Sequence, residues 1–276
     1  MKLLNFLLYS NLYIALCAVA MSIQTLYILD LNVYLNLALL GLIFFSTLCI
    51  YALHRVMSVQ KLDKDLYVER FNVISKYKSH ILIYIFISII GGGFCFFYLK
   101  SSTKLGLLIP AILSLAYIIP FLGIKRLRLR DLHFVKIFLI AFVWSYVTVY
   151  IPLIEFEIPI EGQAIGMLIE RFLFIFLITL PFDLRDWEID KYNNVMTIPA
   201  KIGVKNTIIL IYIILIIWFA LVWQIYTNNI ALALTCSGVF TGFCISFTPS
   251  QKHDYYFTAI LDGTMIIQCL LIFLMI

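Results

Sequence analysis

The sequence predicts an all-α integral membrane protein, a bundle of nine transmembrane helices with its N-terminus inside and its C-terminus outside. Two observations carry the fold class. Of the 276 residues, 63% are hydrophobic and only 13% charged, with a mean hydropathy of +1.03. Globular domains carry about 25% charge and at most about half apolar residues, so a soluble domain, a disordered chain and a nucleic-acid-binding protein are all excluded. Runs of the ~20 apolar residues that a helix needs to cross the hydrocarbon core also recur along the chain, separated by short polar stretches. Strict alternation of the kind a lipid-facing barrel requires is missing, so the spans are helices. No polar stretch is long enough for a second domain, and residues 1–276 are expected to form one membrane domain.

The first span, 6–28, follows Met1-Lys2. Its apolar run reaches Leu29, beyond the ~7–15 residues of a signal h-region, and Leu16 is too large for the position before a cleavage-site cysteine at Cys17. The second span, 33–56, ends in Tyr51-Ala52-Leu53-His54-Arg55 and leads into a polar loop at 57–79. The third and fourth spans, 80–98 and 105–122, flank Lys100 and Lys104. Before the fifth, 133–152, the stretch Lys125, Arg126, Arg128, Arg130 alternates cations with leucines and reads as a topogenic, headgroup-facing patch. The sixth, 164–182, contains Glu170 and Arg171. An ionisable pair at that depth is costly unless it faces the bundle interior, so it is expected to be partnered or cavity-lining, with snorkelling from a tilted helix as the other reading. A second polar loop, 183–204, precedes the seventh and eighth spans, 205–226 and 229–247. The ninth, 256–275, carries Asp262 early, where it could cap the helix. All six cysteines lie in apolar runs and none forms a C-x-x-C pair, so they read as small buried hydrophobes.

Basic residues orient the bundle, because cytoplasmic loops hold the excess of Lys and Arg. With the N-terminus inside, all but three of the 20 fall on the cytoplasmic side: Lys100 and Lys104 lie opposite, and Arg171 lies within a span. The net charge of +5 is a topological signature and implies no nucleic-acid partner.

The most informative stretch is Pro181-Phe182-Asp183-Leu184-Arg185-Asp186-Trp187-Glu188-Ile189-Asp190-Lys191. At helical spacing Asp183, Asp186 and Asp190 fall within an arc of about 60°, while Arg185 and Glu188 point away and can pair with each other. Three like charges at the mouth of an apolar bundle repel unless a cation sits among them. Oxygen ligands without neighbouring His or Cys suit a hard ion such as Mg²⁺, held by one or two carboxylates plus substrate phosphates. The bland alternative is a solvated helix end with acidic residues near its N-terminus.

The pattern Asp183-x-x-Asp186-x-x-x-Asp190, with Thr197-Ile198-Pro199 and Gly203 after it and between the sixth and seventh of nine helices, resembles the second aspartate-rich motif of the UbiA superfamily of intramembrane prenyltransferases. That resemblance implies an alkyl or aryl transferase that moves an isoprenoid from its diphosphate to an aromatic or other lipophilic acceptor. By position, Asp183, Asp186 and Asp190 would be the catalytic, Mg²⁺-binding residues, and Lys201 and Arg185 would contact the donor diphosphate. Partners would be an isoprenoid diphosphate, a lipophilic acceptor and membrane lipids. The chain would reside in the cytoplasmic membrane with its active-site loops facing the cytoplasm.

The family's first motif, at the end of the second helix, should align with Tyr51 to Ser58, where only Arg55 matches and His54 and Ser58 replace carboxylates. Tyr51, His54, Arg55 and Ser58 share a face of about 100°, so this helix end is expected to bind diphosphate directly, through Arg55 and His54. Asp63, Asp65 and Glu69 follow nearby. The rival readings are a non-catalytic relative that binds isoprenoid lipid or a partner, interfacial roles for His54 and Arg55, and a transporter, although apart from Glu170-Arg171 the spans offer few polar midplane residues.

Overall fold

The structure, a computed structural model, describes residues 10–59, 78–120, 128–192, 195–250 and 254–275. Asp63, Asp65, Glu69, Lys125 and Arg126 lie outside the described residues, as does the side chain of Ser58. The described elements are helical throughout. They are α1 (Leu12–Ile28), α2 (Leu37–Val59), α3 (Lys78–Phe97), α4 (Ser101–Gly106), α5 (Leu108–Ile118), α6 (Val135–Ser145), α7 (Ile151–Glu155), α8 (Gln163–Tyr192), α9 (Ile198–Ile225), α10 (Asn228–Ser246) and α11 (Gly263–Met275).

Eight segments among the described residues are long and apolar enough to cross a membrane: 37–57, 79–97, 101–118, 135–155, 163–187, 198–225, 228–246 and 256–275. Each matches an expected span in place. The remaining expected span, 6–28, is described as the shorter apolar helix α1. The chain is an integral, multi-pass membrane protein. Large apolar side chains ring the outside, as in the α3 stripe of Phe86, Ile90, Phe94 and Phe97, which is 57–78% exposed. In water such a stripe would be an aggregation surface; against lipid tails it needs no cover.

Neighbouring helices pack in sequence order. α1 meets α2, α2 meets α3 and α5, α5 meets α6, and α6 meets α8. α8 then meets α9, α9 meets α10, α10 meets α11, and α11 returns to α1, so the bundle closes into a ring. α2 and α3 approach closely: a Cβ on Gly91 would lie only 2.6 Å from the Phe45 ring.

Two spans depart from α-helix, each with a local cause. Between α6 and α7, Tyr146–Tyr150 form a π-turn. Pro152 follows it and has no N–H for the carbonyl of Thr148, which accepts instead from the Thr25 hydroxyl of α1 at 2.7 Å. A second π-turn, Tyr256–Leu261, leads into α11. π-Turns of this kind concentrate at functional sites.

The expected loop 183–204 is mostly helix, which corrects that boundary. α8 continues through Pro181 to Tyr192. Asp183, Leu184 and Asp190 are all buried, so tertiary contacts hold the helix where its polarity alone suggested a loop. α9 begins about two turns earlier than expected, at Ile198, and kinks at Gly203, whose φ of 81° and ψ of 164° only glycine adopts readily.

Candidate functional site

Inside the ring lies a cavity of about 290 Å³. Its apolar wall is built from α1, α2, α5, α6, α8 and α11, for example Ile14, Ile50, Leu113, Leu139, Ile178 and Met265. Aromatic faces of Tyr51, Tyr117, Trp144 and Phe182 line it as well. Its polar lining is His54, Arg130, Lys136, Arg185, Asp186 and Asp262, with Ser114 and Thr179.

The sixth span delivers the aspartates, and the fifth meets them. Lys136, in the first turn of α6, is followed on its own helix face by the lining residues Leu139, Ile140 and Val143. This amphipathic position carries the ammonium inward. Its Nζ lies 2.7 Å from Asp183 Oδ1 and 3.5 Å from Asp190 Oδ2, with all three side chains buried. The cation that three clustered carboxylates require is therefore supplied, for two of them, by the chain itself. Burial pushes the Asp190 carboxyl above its ordinary value; Lys136 opposes that rise, and Asp183 and Asp186 add to it.

The third carboxylate, Asp186, is held by its neighbour. Arg185 Nε donates to Oδ1 at 2.8 Å and Nη2 to Oδ2 at 3.0 Å, a two-pronged grip, while Nη1 reaches Asp254 Oδ1 at 3.2 Å. The guanidinium also lies over the rings of Phe182 and Phe257, 5.2 and 5.0 Å from their centroids. Arg185 therefore faces the cavity and pairs with Asp186 and Asp254, which corrects the expectation that it points away; the side chain of Glu188 lies outside the described residues.

On the opposite wall His54 Nε2 meets Arg130 Nη1. Arg130 lies over the Tyr117 ring at 5.3 Å, and the His54 ring is 5.8 Å from the same ring. Arg128 grips Asp131 at 2.8–3.2 Å. Burial works against the Asp131 charge, but those hydrogen bonds outweigh it and hold the carboxyl below its usual value.

Of the residues singled out in the sequence, Tyr51, His54, Arg185 and Asp186 line the cavity, and Asp183 and Asp190 join it through Lys136. Two stand apart. Arg55 is half-buried and outside the cavity wall. Lys201 is exposed at the start of α9, its ammonium 5.4 Å from the Phe134 ring centroid, and also lies outside the wall. Three lining residues were missed as such: Lys136 and Arg130, read only as topogenic charge, and Asp262, read as a cap. For Asp262 the signal was available, since an ionisable group inside a span marks a functional position by default.

Glu170 and Arg171 lie away from this wall and are partnered. Both are fully buried, 4.0 Å apart. Glu170 accepts from Trp218 Nε1 at 2.8 Å and Tyr226 OH at 3.3 Å. Arg171 donates to the Met21 carbonyl at 2.8 Å and to the hydroxyls of Thr148 and Thr25 at 3.0 and 3.4 Å. The pair ties α8 to α1, α9 and the first π-turn.

The donor set suits a hard divalent ion. Asp183 Oδ1 is buried and accepts no hydrogen bond among the described residues, the Lys136 contact being too oblique for one. Asp183, Asp186, Asp190 and Asp254 are all paired with the lining cations Lys136 and Arg185, and Asp262 lies on the same wall. No three His, Cys, Asp or Glu among the described residues converge on one point, so a metal here would take phosphate oxygens to complete its shell, the usual habit of Mg²⁺.

No protein-family model matches the chain, and no curated protein matches it. Solved structures do. A UbiA homologue from Archaeoglobus fulgidus bound to GPP and Mg²⁺ is similar at 12% identity over 99% of this chain and 98% of that one, with a TM-score of 0.66. A UbiA homologue from Archaeoglobus fulgidus bound to DMAPP and Mg²⁺ is similar at 13% identity over 98% of this chain and 96% of that one, with a TM-score of 0.64. A digeranylgeranylglyceryl phosphate synthase is similar at 12% identity over 99% and 97%, with a TM-score of 0.59. The chain has the UbiA fold over nearly its whole length.

Proposed function

We propose that this chain is an intramembrane prenyltransferase that moves an isoprenoid from its diphosphate to an aromatic or other lipophilic acceptor, working as a single membrane domain. The observation that carries the reading is a cavity in which an apolar, aromatic-lined wall meets a charged mouth of Arg130, Lys136, Arg185 and aspartates. The solved UbiA homologues with GPP or DMAPP and Mg²⁺ support it.

In this reading the isoprenoid tail lies along Ile50, Leu113 and Leu139, where burial of each CH₂ contributes about 0.8 kcal/mol. The diphosphate sits at the mouth, where Arg130 and Arg185 donate charge-assisted hydrogen bonds to its oxygens. The C–O bond breaks with its electron pair leaving on the diphosphate, and those donors stabilise the developing charge. Tyr51, Tyr117 and Trp144 present π-faces to the allylic cation that remains. The acceptor's electron pair closes the new bond and its proton departs, and Asp262 is the buried carboxylate on the wall placed to receive it. Asp183, Asp186 and Asp190 would hold Mg²⁺, which when bound adds neutralising charge to the leaving group. His54 positions Arg130, and Arg55 and Lys201 contribute positive charge from outside the wall.

Titrating geranyl diphosphate into the purified protein in detergent with Mg²⁺, beside geraniol, tests the reading. The diphosphate is expected to bind at least tenfold more tightly, the equivalent of about 1.4 kcal/mol. Equal affinity would mean that the mouth does not recognise phosphate.

The orientation belongs to the same proposal: N-terminus inside, mouth toward the cytoplasm, in the cytoplasmic membrane. Glu161 and Lys201 are both exposed. In intact cells, cysteine at position 161 is expected to react with an impermeant maleimide, and cysteine at position 201 only after permeabilisation. The opposite pattern would invert the bundle.

A further inference from the structure

We propose that Lys136 is a built-in counter-ion that keeps the aspartate face from taking up a free divalent cation, so that metal enters only together with a diphosphate. This rests on the donor site proposed above. The Lys136 ammonium already contacts two of the three carboxylates, at 2.7 and 3.5 Å, and Arg185 occupies both oxygens of the third at 2.8 and 3.0 Å. Each of the three aspartates expected to ligate a metal is therefore paired with a cation of the chain.

A metal arriving alone must displace one of those cations. Lys136 is the weaker hold, because its contacts are to single oxygens and the one to Asp183 lacks hydrogen-bond alignment, whereas Arg185 grips Asp186 with two parallel bonds. Displaced, the ammonium would be left buried and unpaired, which is strongly unfavourable. The metal would also have to shed water for a site offering it few ligands, and Mg²⁺ does so reluctantly. A diphosphate changes both terms. Its oxygens complete the metal's shell, and its remaining charge gives the displaced ammonium, which already lines the cavity, a new partner. Metal and diphosphate are thus coupled, each raising the affinity of the other by the same factor. Lys136 couples them by making metal binding without the anion costly.

Equilibrium dialysis of radiolabelled manganese against the full-length protein in detergent, at fixed free metal, with and without inorganic pyrophosphate, reads this directly. In wild type, pyrophosphate is expected to raise manganese affinity at least about tenfold, within the usual range of coupling between sites. Lys136→Gln keeps a hydrogen-bond donor and removes the charge; it is expected to bind manganese alone about tenfold more tightly than wild type and to lose most of the pyrophosphate effect. Wild type binding manganese equally with and without pyrophosphate overturns the proposal, even if the variant fails to fold. So does a folded Lys136→Gln protein, monodisperse by size exclusion, that matches wild type in both arms. If neither protein retains labelled pyrophosphate under any condition, the donor site itself is wrong and the role of Lys136 falls with it.

Discussion

Replacing Arg171 with methionine is expected to destabilise the bundle by about 3–5 kcal/mol, the range for removing one partner of a buried ion pair. The guanidinium is fully buried and makes three hydrogen bonds to α1 and the first π-turn, at 2.8–3.4 Å. Its loss leaves Glu170 with Trp218 and Tyr226 as its only hydrogen-bond partners among the described residues, and removes one donor each from the Met21 carbonyl and two threonine hydroxyls. The unfolding midpoint in mixed micelles containing increasing SDS measures the effect. Glu170→Gln combined with Arg171→Met removes both charges, and is expected to recover part of the loss, because the stranded carboxylate is the larger penalty. A single variant as stable as wild type would show that the pair contributes nothing net. The surviving folded fraction should still bind geranyl diphosphate, since neither residue lines the cavity.

Asp183→Asn separates site from scaffold in the other direction. Asp183 is 1% exposed, yet asparagine fills nearly the same volume, and Lys136 retains Asp190 as a partner. The protein should fold. Its Mg²⁺-dependent affinity for geranyl diphosphate should fall by more than about 100-fold, since losing even an outer-shell partner of a metal costs 10–100-fold. Unchanged affinity in Asp183→Asn and in Asp190→Asn would reduce the aspartate face to a solvated helix end.

The fold was legible because membrane spans announce themselves by length and apolarity, and all eight long apolar segments lie where hydropathy put them. Boundaries were legible only where polarity changes with structure. α8 runs on past Asp183 because Leu184 and the Lys136 contacts bury its polar end, and no local pattern encodes a partner from another span. The aspartate face itself was readable, since Asp183, Asp186 and Asp190 share one side of one helix. Its counter-ion was not. Lys136 sits at the inner end of a span, where lysine is the ordinary topogenic residue, and only packing α6 against α8 turns it inward. Arg130 was hidden in the same way, whereas Asp262, an ionisable group inside a span, was legible by depth alone. Arg55 shows the converse, because a motif match at a helix end carries no information about which way the side chain enters the bundle. The Glu170-Arg171 pair was half legible: depth alone demanded partners, while their identity, Trp218, Tyr226, Met21, Thr25 and Thr148, came from three other elements, α9 with its C-cap, α1 and the first π-turn.

Prenyl transfer at the charged mouth is tested most directly by release of diphosphate from geranyl diphosphate by purified protein in lipid nanodiscs, with Mg²⁺ and a panel of phenolic, quinol and isoprenoid-alcohol acceptors. Acceptor-dependent release that disappears in Asp183→Asn is the expected result. Tight donor binding with no release for any acceptor would contradict it, and would make this chain a UbiA-fold protein that holds isoprenoid diphosphates without turning them over.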